Sequence, residues 1–331
     1  MSENLLEVEN LTVALPTRAG YRPAVDGLSL NVRAGEVAGI AGESGSGKTM
    51  TALSLFGLLP HGARVSGTAR LDGTDLLTLR GRRLRAVRGR QVAMVSQDPS
   101  ASLHPILTIG TQLTEHMRHH LGVSKSEAAT RAAQLLDTVR IPDPEQALAS
   151  YPGQFSGGMR QRIAIAVALA AEPRLLVADE PTTALDVTVQ AGILRLLDRL
   201  CRERDMSVIV ITHDLGVMSA LAKRVYVMYA GRLAEAGPTA RLLTSPRHPY
   251  TRGLLDALPH PDGGQAPLVP IGGTPPSLGA VPDGCPFHPR CKYAEESCTM
   301  APRPSVVPAP GEDETTGHLL ACPPDPLREL A

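Results

Sequence analysis

The chain has 331 residues, enough for one large domain or two ordinary ones around a sizeable core. Its 33 basic residues are matched by 33 acidic ones, so the global positive field of a general nucleic-acid binder is missing. The N-terminus lacks the basic flank and apolar stretch of a signal peptide, and no apolar run approaches the roughly 20 residues that span a bilayer. A soluble chain is expected, one that reaches any membrane through a partner.

Short apolar runs alternate with helical patterns as far as residue 256, which is the signature of an α/β domain. The first buried strand is expected at Val37–Ala41. It runs directly into Gly42-Glu43-Ser44-Gly45-Ser46-Gly47-Lys48-Thr49, which fits G-x-x-x-x-G-K-[ST] at every fixed position and opens a helix over about Lys48–Phe56. The glycines let backbone N–H groups turn inward around a phosphate, and the helix aims its positive end at the same anion. Lys48 is expected to reach the β- and γ-phosphates of ATP, and the Thr49 hydroxyl to ligate Mg²⁺.

Arg80–Arg90 holds six arginines in eleven residues and reads as a solvated helix or loop face. A second strand, Val92–Ser96, leads to Gln97. From Ile106 to Ala149 the strand signal disappears, and Gln112–His120 and Ser124–Val139 read as helices of an insert. Pro142 and Pro144 break that pattern. Ser156, Gly157 and Gly158 then cap a helix expected to run to about Ala171, presenting a second nest of N–H groups. The strand Leu175–Ala178 follows, ending in Asp179 and Glu180 some 130 residues after the phosphate loop. Asp179 suits Mg²⁺ and Glu180 suits the activation of water for in-line attack. The last strand expected in this region is Val208–Ile211, with His213 just beyond its end.

The stretch Phe155-Ser156-Gly157-Gly158-Met159 resembles the signature of ABC proteins, usually LSGGQ, at the family's distance from the Asp-Glu pair. That resemblance implies a P-loop ABC ATPase core: a RecA-like α/β subdomain, an antiparallel β-subdomain and a helical subdomain at about 98–170, together covering 1–256. It implies that Ser156, Gly157 and Gly158 close on ATP bound to an opposite subunit. Gln97 takes the place of the glutamine that joins Mg²⁺ and the attacking water to the helical insert. Ala184-Leu185-Asp186 is similar to the loop at the dimer interface, and His213 matches the histidine that contacts the γ-phosphate. Tyr21 reads either as a stacking partner for adenine or as a packed surface tyrosine.

Beyond residue 256 the resemblance narrows to ATPase subunits of oligopeptide, dipeptide and nickel importers. It is carried by Ser245–Thr251, Gly273–Leu278, Gly284–Cys291 and Gln97–Pro105. It implies hydrolysis of ATP coupled to peptide uptake, with nickel or another small solute as the other cargo. It also implies two transmembrane permeases, a second related ATPase, an extracytoplasmic substrate-binding protein, no nucleic acid, and residence at the cytoplasmic face of the membrane. The other class is a soluble ABC ATPase of DNA or ribosomes; such proteins carry two cassettes or long coiled-coil insertions, and neither feature occurs here.

Residues 257–331 change in composition, holding sixteen of the 29 prolines and four of the five cysteines. Cys285, Cys291, Cys298 and Cys322 are separated by five, six and 23 residues. Four thiolates suit zinc or an iron–sulfur cluster, and reduced free thiols are the third reading. The resemblance favours a four-iron four-sulfur cluster, expected to staple this Pro-rich extension to the ATPase domain. Cys201, on a helical stretch, is expected to be a small buried residue.

Overall fold

The structure, a computed structural model, describes residues 4–183, 185–258, 269–310 and 317–328. The chain divides into two compact units. The first contains residues 1–33, 37–77 and 212–331; the second contains 34–36 and 78–211. The Pro-rich extension thus belongs to the same unit as the phosphate loop.

In the first unit an antiparallel sheet carries strands in the order Gly20–Arg33, Asn4–Thr17, Arg64–Leu71, Thr74–Asp75. The first two form a hairpin closing at Thr17 and Gly20, whose φ of 95° a side-chain-bearing residue would resist. Leu6, Leu11, Val13, Val25, Leu28 and Val32 on these strands are fully buried. Val37–Ala41 is buried along its whole length, as an apolar strand covered on both faces should be, and it pairs in parallel with Arg224–Tyr229. Arg224–Tyr229 pairs antiparallel with Arg232–Pro238, which in turn receives Leu319–Leu320 from the extension.

The extension is therefore woven into this unit by protein contacts. Ala321 N donates to Ala234 O at 2.9 Å, and the imidazole Nε2 of His318 lies 2.8 Å from the buried carboxylate of Glu235. Glu235 also accepts from the backbone N–H groups of Arg247 at 2.8 Å and His248 at 3.0 Å. Arg247 forms a bidentate ion pair with Asp325, both side chains being almost fully buried. A composition too rich in proline for a large core is ordered by a strand addition and buried polar pairs.

In the second unit Val92–Val95, Leu175–Asp179 and Ser207–Thr212 lie parallel, with Val95 opposite Ala178 and Asp179 opposite Ile211. The insert is helical: Ile109–Leu121 and Lys125–Thr138 lie where Gln112–His120 and Ser124–Val139 were expected, and Gly157–Leu169 follows Ser156. Pro144, expected to break the helical pattern, instead opens a further helix, Pro144–Ala149, because a proline in the first turn forfeits no intrahelical hydrogen bond. Thr108 and Ser124 cap the first two of these by accepting N–H groups three residues on, and Gly122, at φ 69°, ends the first. Ile109, Leu113 and Met117 are buried on one stripe, and Ala128, Ala132, Leu135 and Leu136 on another. Each buried leucine contributes about 1.5–3 kcal/mol. Gly81–Val87 is a short helix whose Arg82, Arg83 and Arg85 are exposed, the solvated face expected of that run. Cys201 is buried, with its thiol 3.6 Å from Gly35 O.

Candidate nucleotide site and cysteine module

The phosphate loop is shaped by close approach. Gly42 has φ 145°, and a Cβ there would stand 2.2 Å from Met228 O; one on Gly47 would stand 2.7 Å from Ala24 O. Gly231 N donates to Ser46 O at 3.0 Å, tying the loop to the neighbouring turn. Gly47 precedes the helix Lys48–Leu55 in a left-handed conformation, so the helix begins at the lysine itself. Lys48 is buried, its Nζ donating to Gly42 O at 2.6 Å and Glu43 O at 2.9 Å and standing 3.4 Å from Ser46 Oγ. Ser44, Gly45 and Thr49 are exposed around this buried ammonium. The arrangement is a nest of backbone dipoles with one cation at its floor, suited to a polyphosphate.

Glu43 does not join that nest through its side chain. Its carboxylate instead takes a bidentate pair from Arg290, at 2.7 and 3.0 Å, while its backbone N–H donates to the Tyr250 hydroxyl at 2.7 Å. Neither partner was signalled along the sequence, where they lie 247 and 207 residues away. Tyr21 is partly exposed, and one face of its ring carries the Arg64 guanidinium at 3.8 Å. His213 is exposed just past Ser207–Thr212, ahead of Asp214, which caps Leu215–Leu221.

In the second unit Asp179 is buried at the strand tip, while Glu180 follows at φ 46° with its N–H held by Ile211 O at 2.8 Å. A left-handed glutamate is a strained residue of the kind that clusters at working sites. Its Oε2 accepts from Gln97 Nε2 at 2.9 Å and from Thr183 Oγ1 at 2.8 Å. The structure thus brings Gln97 and Glu180 together and adds Thr183. Ser156 caps Gly157–Leu169 by accepting Met159 N at 3.3 Å, and a Cβ on Gly158 would press on Val189 at 2.8 Å. Asp186 caps Val187–Glu203, its Oδ1 accepting Val189 N at 2.9 Å; Ala184 lies outside the described residues.

The cysteine module folds on itself. Cys285 N donates to Cys298 O at 2.8 Å, beneath Gly284, where a Cβ would meet that carbonyl at 2.3 Å. Cys285, Cys291 and Cys322 all have thiols pushed up by burial, Cys322 to about 12, and the other three cysteines each add to the rise at Cys322. The fold therefore gathers four half-buried thiols, separated by up to 37 positions, within electrostatic reach of one another. Among the described residues, no group of three or more His, Cys, Asp or Glu side chains is arranged to hold a metal ion. Nor is any helix there long and apolar enough to cross a membrane.

Phosphate nest, strand-tip carboxylates and a serine-capped Gly-Gly helix define a P-loop ATPase of the ATP-binding-cassette type. Residues 25–183 match the family described as ABC transporter, and residues 234–298 match the oligopeptide/dipeptide transporter C-terminal region. The oligopeptide transport ATP-binding protein OppD of Salmonella typhimurium is 47% identical, covering 96% of this chain and 93% of its own length. The dipeptide transport ATP-binding protein DppD of Bacillus subtilis is 49% identical, covering 87% of each. Two solved structures of the ATP-binding cassette MJ0796 also match at 28% identity, covering 71% of this chain and 98% of theirs. One is a bacterial ABC transporter cassette dimer, at TM-score 0.64; the other is a post-hydrolysis dimer bound to ADP and phosphate, at 0.63. The chain belongs to the ABC transporter family of ATPases, in the group that carries the peptide-transporter C-terminal region.

Proposed function

We propose that this ATPase powers the uptake of di- and oligopeptides as the nucleotide-hydrolysing subunit of an ABC importer at the cytoplasmic face of the membrane. The observation that carries the proposal is the match of residues 234–298 to the oligopeptide/dipeptide transporter C-terminal region, in a chain that a peptide-transport ATP-binding protein matches over 96% of its length. Two permeases, a second related ATPase and an extracytoplasmic binding protein complete the machine.

The loop Gly42–Thr49 cradles the phosphates, with Lys48 neutralising the γ-phosphate. Thr49, Asp179 and Gln97 are the residues that would hold Mg²⁺, whose charge stabilises the phosphate oxygens when it is bound. Glu180, oriented by Gln97 and Thr183, removes a proton from the attacking water. His213 senses the γ-phosphate. Ser156 with the N–H groups of Gly157 and Gly158 closes on the nucleotide of the paired subunit, and Asp186 sits at that junction. Tyr21, already stacked by Arg64 on one face, offers the other to adenine.

The four cysteines are proposed to hold a four-iron four-sulfur cluster, with zinc as the alternative. Burial disfavours a bare thiolate at Cys285, Cys291 and Cys322, and thiols gathered in one module are relieved by a cation that takes their charge. A cluster is wider than one ion, so its thiolates stand farther apart than around zinc. Elemental analysis of anaerobically purified protein distinguishes them: about four irons per chain with a brown colour for the cluster, one zinc for the alternative.

The function is tested by purifying Glu180→Gln from native membranes in Mg-ATP. Recovery of two permeases, a second ATPase and a peptide-binding protein is expected. Recovery of ribosomal or DNA-repair proteins with no membrane subunit would overturn it.

A further inference from the structure

A carboxylate in the second position of a phosphate-binding loop is an electrostatic conflict, because the ligand is a polyanion. The fold answers it with Arg290. This guanidinium is almost fully buried, 4% exposed, and reaches both oxygens of Glu43, at 2.7 and 3.0 Å. Its remaining donors are taken as well: Nε donates to Gly272 O at 2.8 Å, Nη1 stands 3.3 Å from the Tyr229 hydroxyl, and Nη2 stands 3.4 Å from Ile271 O. A planar fork held at so many points cannot swing away, and it turns the Glu43 carboxylate toward the extension.

The support continues behind it. Tyr250, fully buried, donates nothing to solvent; its hydroxyl accepts the Glu43 N–H, and its ring packs against Tyr229 and Phe287 at 4.7 and 5.3 Å between centroids. Phe287 and Arg290 lie between Cys285 and Cys291, so the residues that brace the loop are part of the cysteine module itself.

We propose that Arg290 is a positioning residue for ATP hydrolysis: by neutralising Glu43 and holding it away from the phosphate nest, the C-terminal extension completes the nucleotide site of its own chain. The proposal rests on reading Gly42–Thr49 as the nucleotide loop. A merely structural Arg290 would tether the extension without affecting the sign of charge felt by the phosphates.

The test is a double-mutant cycle on the full-length chain, measuring Mg-ATP binding and the KM and kcat of hydrolysis. Arg290→Met leaves the Glu43 charge bare beside the phosphates; it is expected to raise the Kd and KM for ATP about tenfold with kcat nearly held, and the defect shrinks in high salt. Adding Glu43→Gln to Arg290→Met recovers most of the loss, although the ion pair is still gone. Glu43→Gln alone removes an anion and leaves Arg290 in place, so ATP binds about threefold tighter. A double variant as impaired as Arg290→Met, or a Glu43→Gln that binds ATP more weakly than the parent, would overturn the proposal. The second comparison stands even if Arg290→Met fails to fold. Lys48→Ala serves as the reference: if it bound ATP like the parent, the loop reading itself would fall, whatever the Arg290 cycle gave.

Discussion

Gln97 Nε2 and Thr183 Oγ1 donate to the same oxygen of Glu180, at 2.9 and 2.8 Å, and so fix the direction of the carboxylate. A base held by two donors is oriented before any water reaches it, and positioned general bases contribute about 10²–10⁴-fold to rate. Glu180→Gln should therefore cut phosphate release by at least about 10² while ATP still binds. Gln97→Ala removes one of the two donors and should cost less, about tenfold. Single-turnover phosphate release beside nucleotide titration checks both. Turnover near the parent's in Glu180→Gln would remove that residue from its role.

The shape of the phosphate loop gives a second expectation. Gly42 holds φ 145° with backbone where a Cβ would go, whereas Gly45, at φ 80°, has open space around it. Gly42→Ala should lose stability by about 1–3 kcal/mol and bind ATP at least tenfold more weakly, since Met228 O belongs to a strand and cannot retreat. Gly45→Ala has only the conformational cost, about 1 kcal/mol. Urea unfolding and nucleotide titration of the two variants should separate them in that order.

Arg247 and Asp325 form a bidentate pair at 6% and 4% side-chain exposure, so solvent does little to screen them. Asp325→Ala strands a buried guanidinium and should destabilise the first unit by about 3–5 kcal/mol. The double variant Arg247→Met with Asp325→Leu should regain most of that stability, because no charge is then left without a partner. Denaturant midpoints decide the matter. A single variant with an unchanged midpoint would mean that Leu319–Leu320 holds the extension without the pair.

Acid should act through His248. Its imidazole is buried, and that burial pushes its pKa down from 6.5 to about 4, against a smaller upward pull from Glu235. Its Nδ1 also accepts the Tyr250 N–H at 3.0 Å, an arrangement suited to the neutral ring. The unfolded chain takes up the proton near 6.5 and the folded one near 4, so the unfolded state binds more protons between those values. The stability linked to this residue is thus intact above pH 6.5 and is lost as pH falls toward 4, by up to about 3 kcal/mol. His248→Asn keeps an acceptor for the Tyr250 N–H but does not titrate. Its unfolding free energy should therefore fall less steeply over this range, and an identical slope in both proteins would acquit His248.

Much of the cassette could be read along the chain because its features are local. Strand, loop and helix at Val37–Leu55 follow from an apolar run, spaced glycines and the Lys48-Thr49 pair, all within one supersecondary unit. The same holds for Leu175–Asp179 with Glu180 and for Ser156 capping Gly157–Leu169, while the insert helices were legible at Gln112–His120 and Ser124–Val139 but the first begins three residues earlier, at the Thr108 cap. In each case the partners that matter lie within a few residues of each other.

Other features were settled only by the tertiary structure. Glu43 stands in the phosphate loop by sequence, but its side chain turns to an arginine 247 residues on. The extension, unreadable as a core because of its prolines, adds Leu319–Leu320 to Arg232–Pro238 and buries Asp325 against Arg247. The same folding gathers Cys322 with three cysteines from Cys285–Cys298. Spacing along a chain determines backbone periodicity and nearby caps, whereas long-range pairs depend on which sheet edge and which loop the chain returns to.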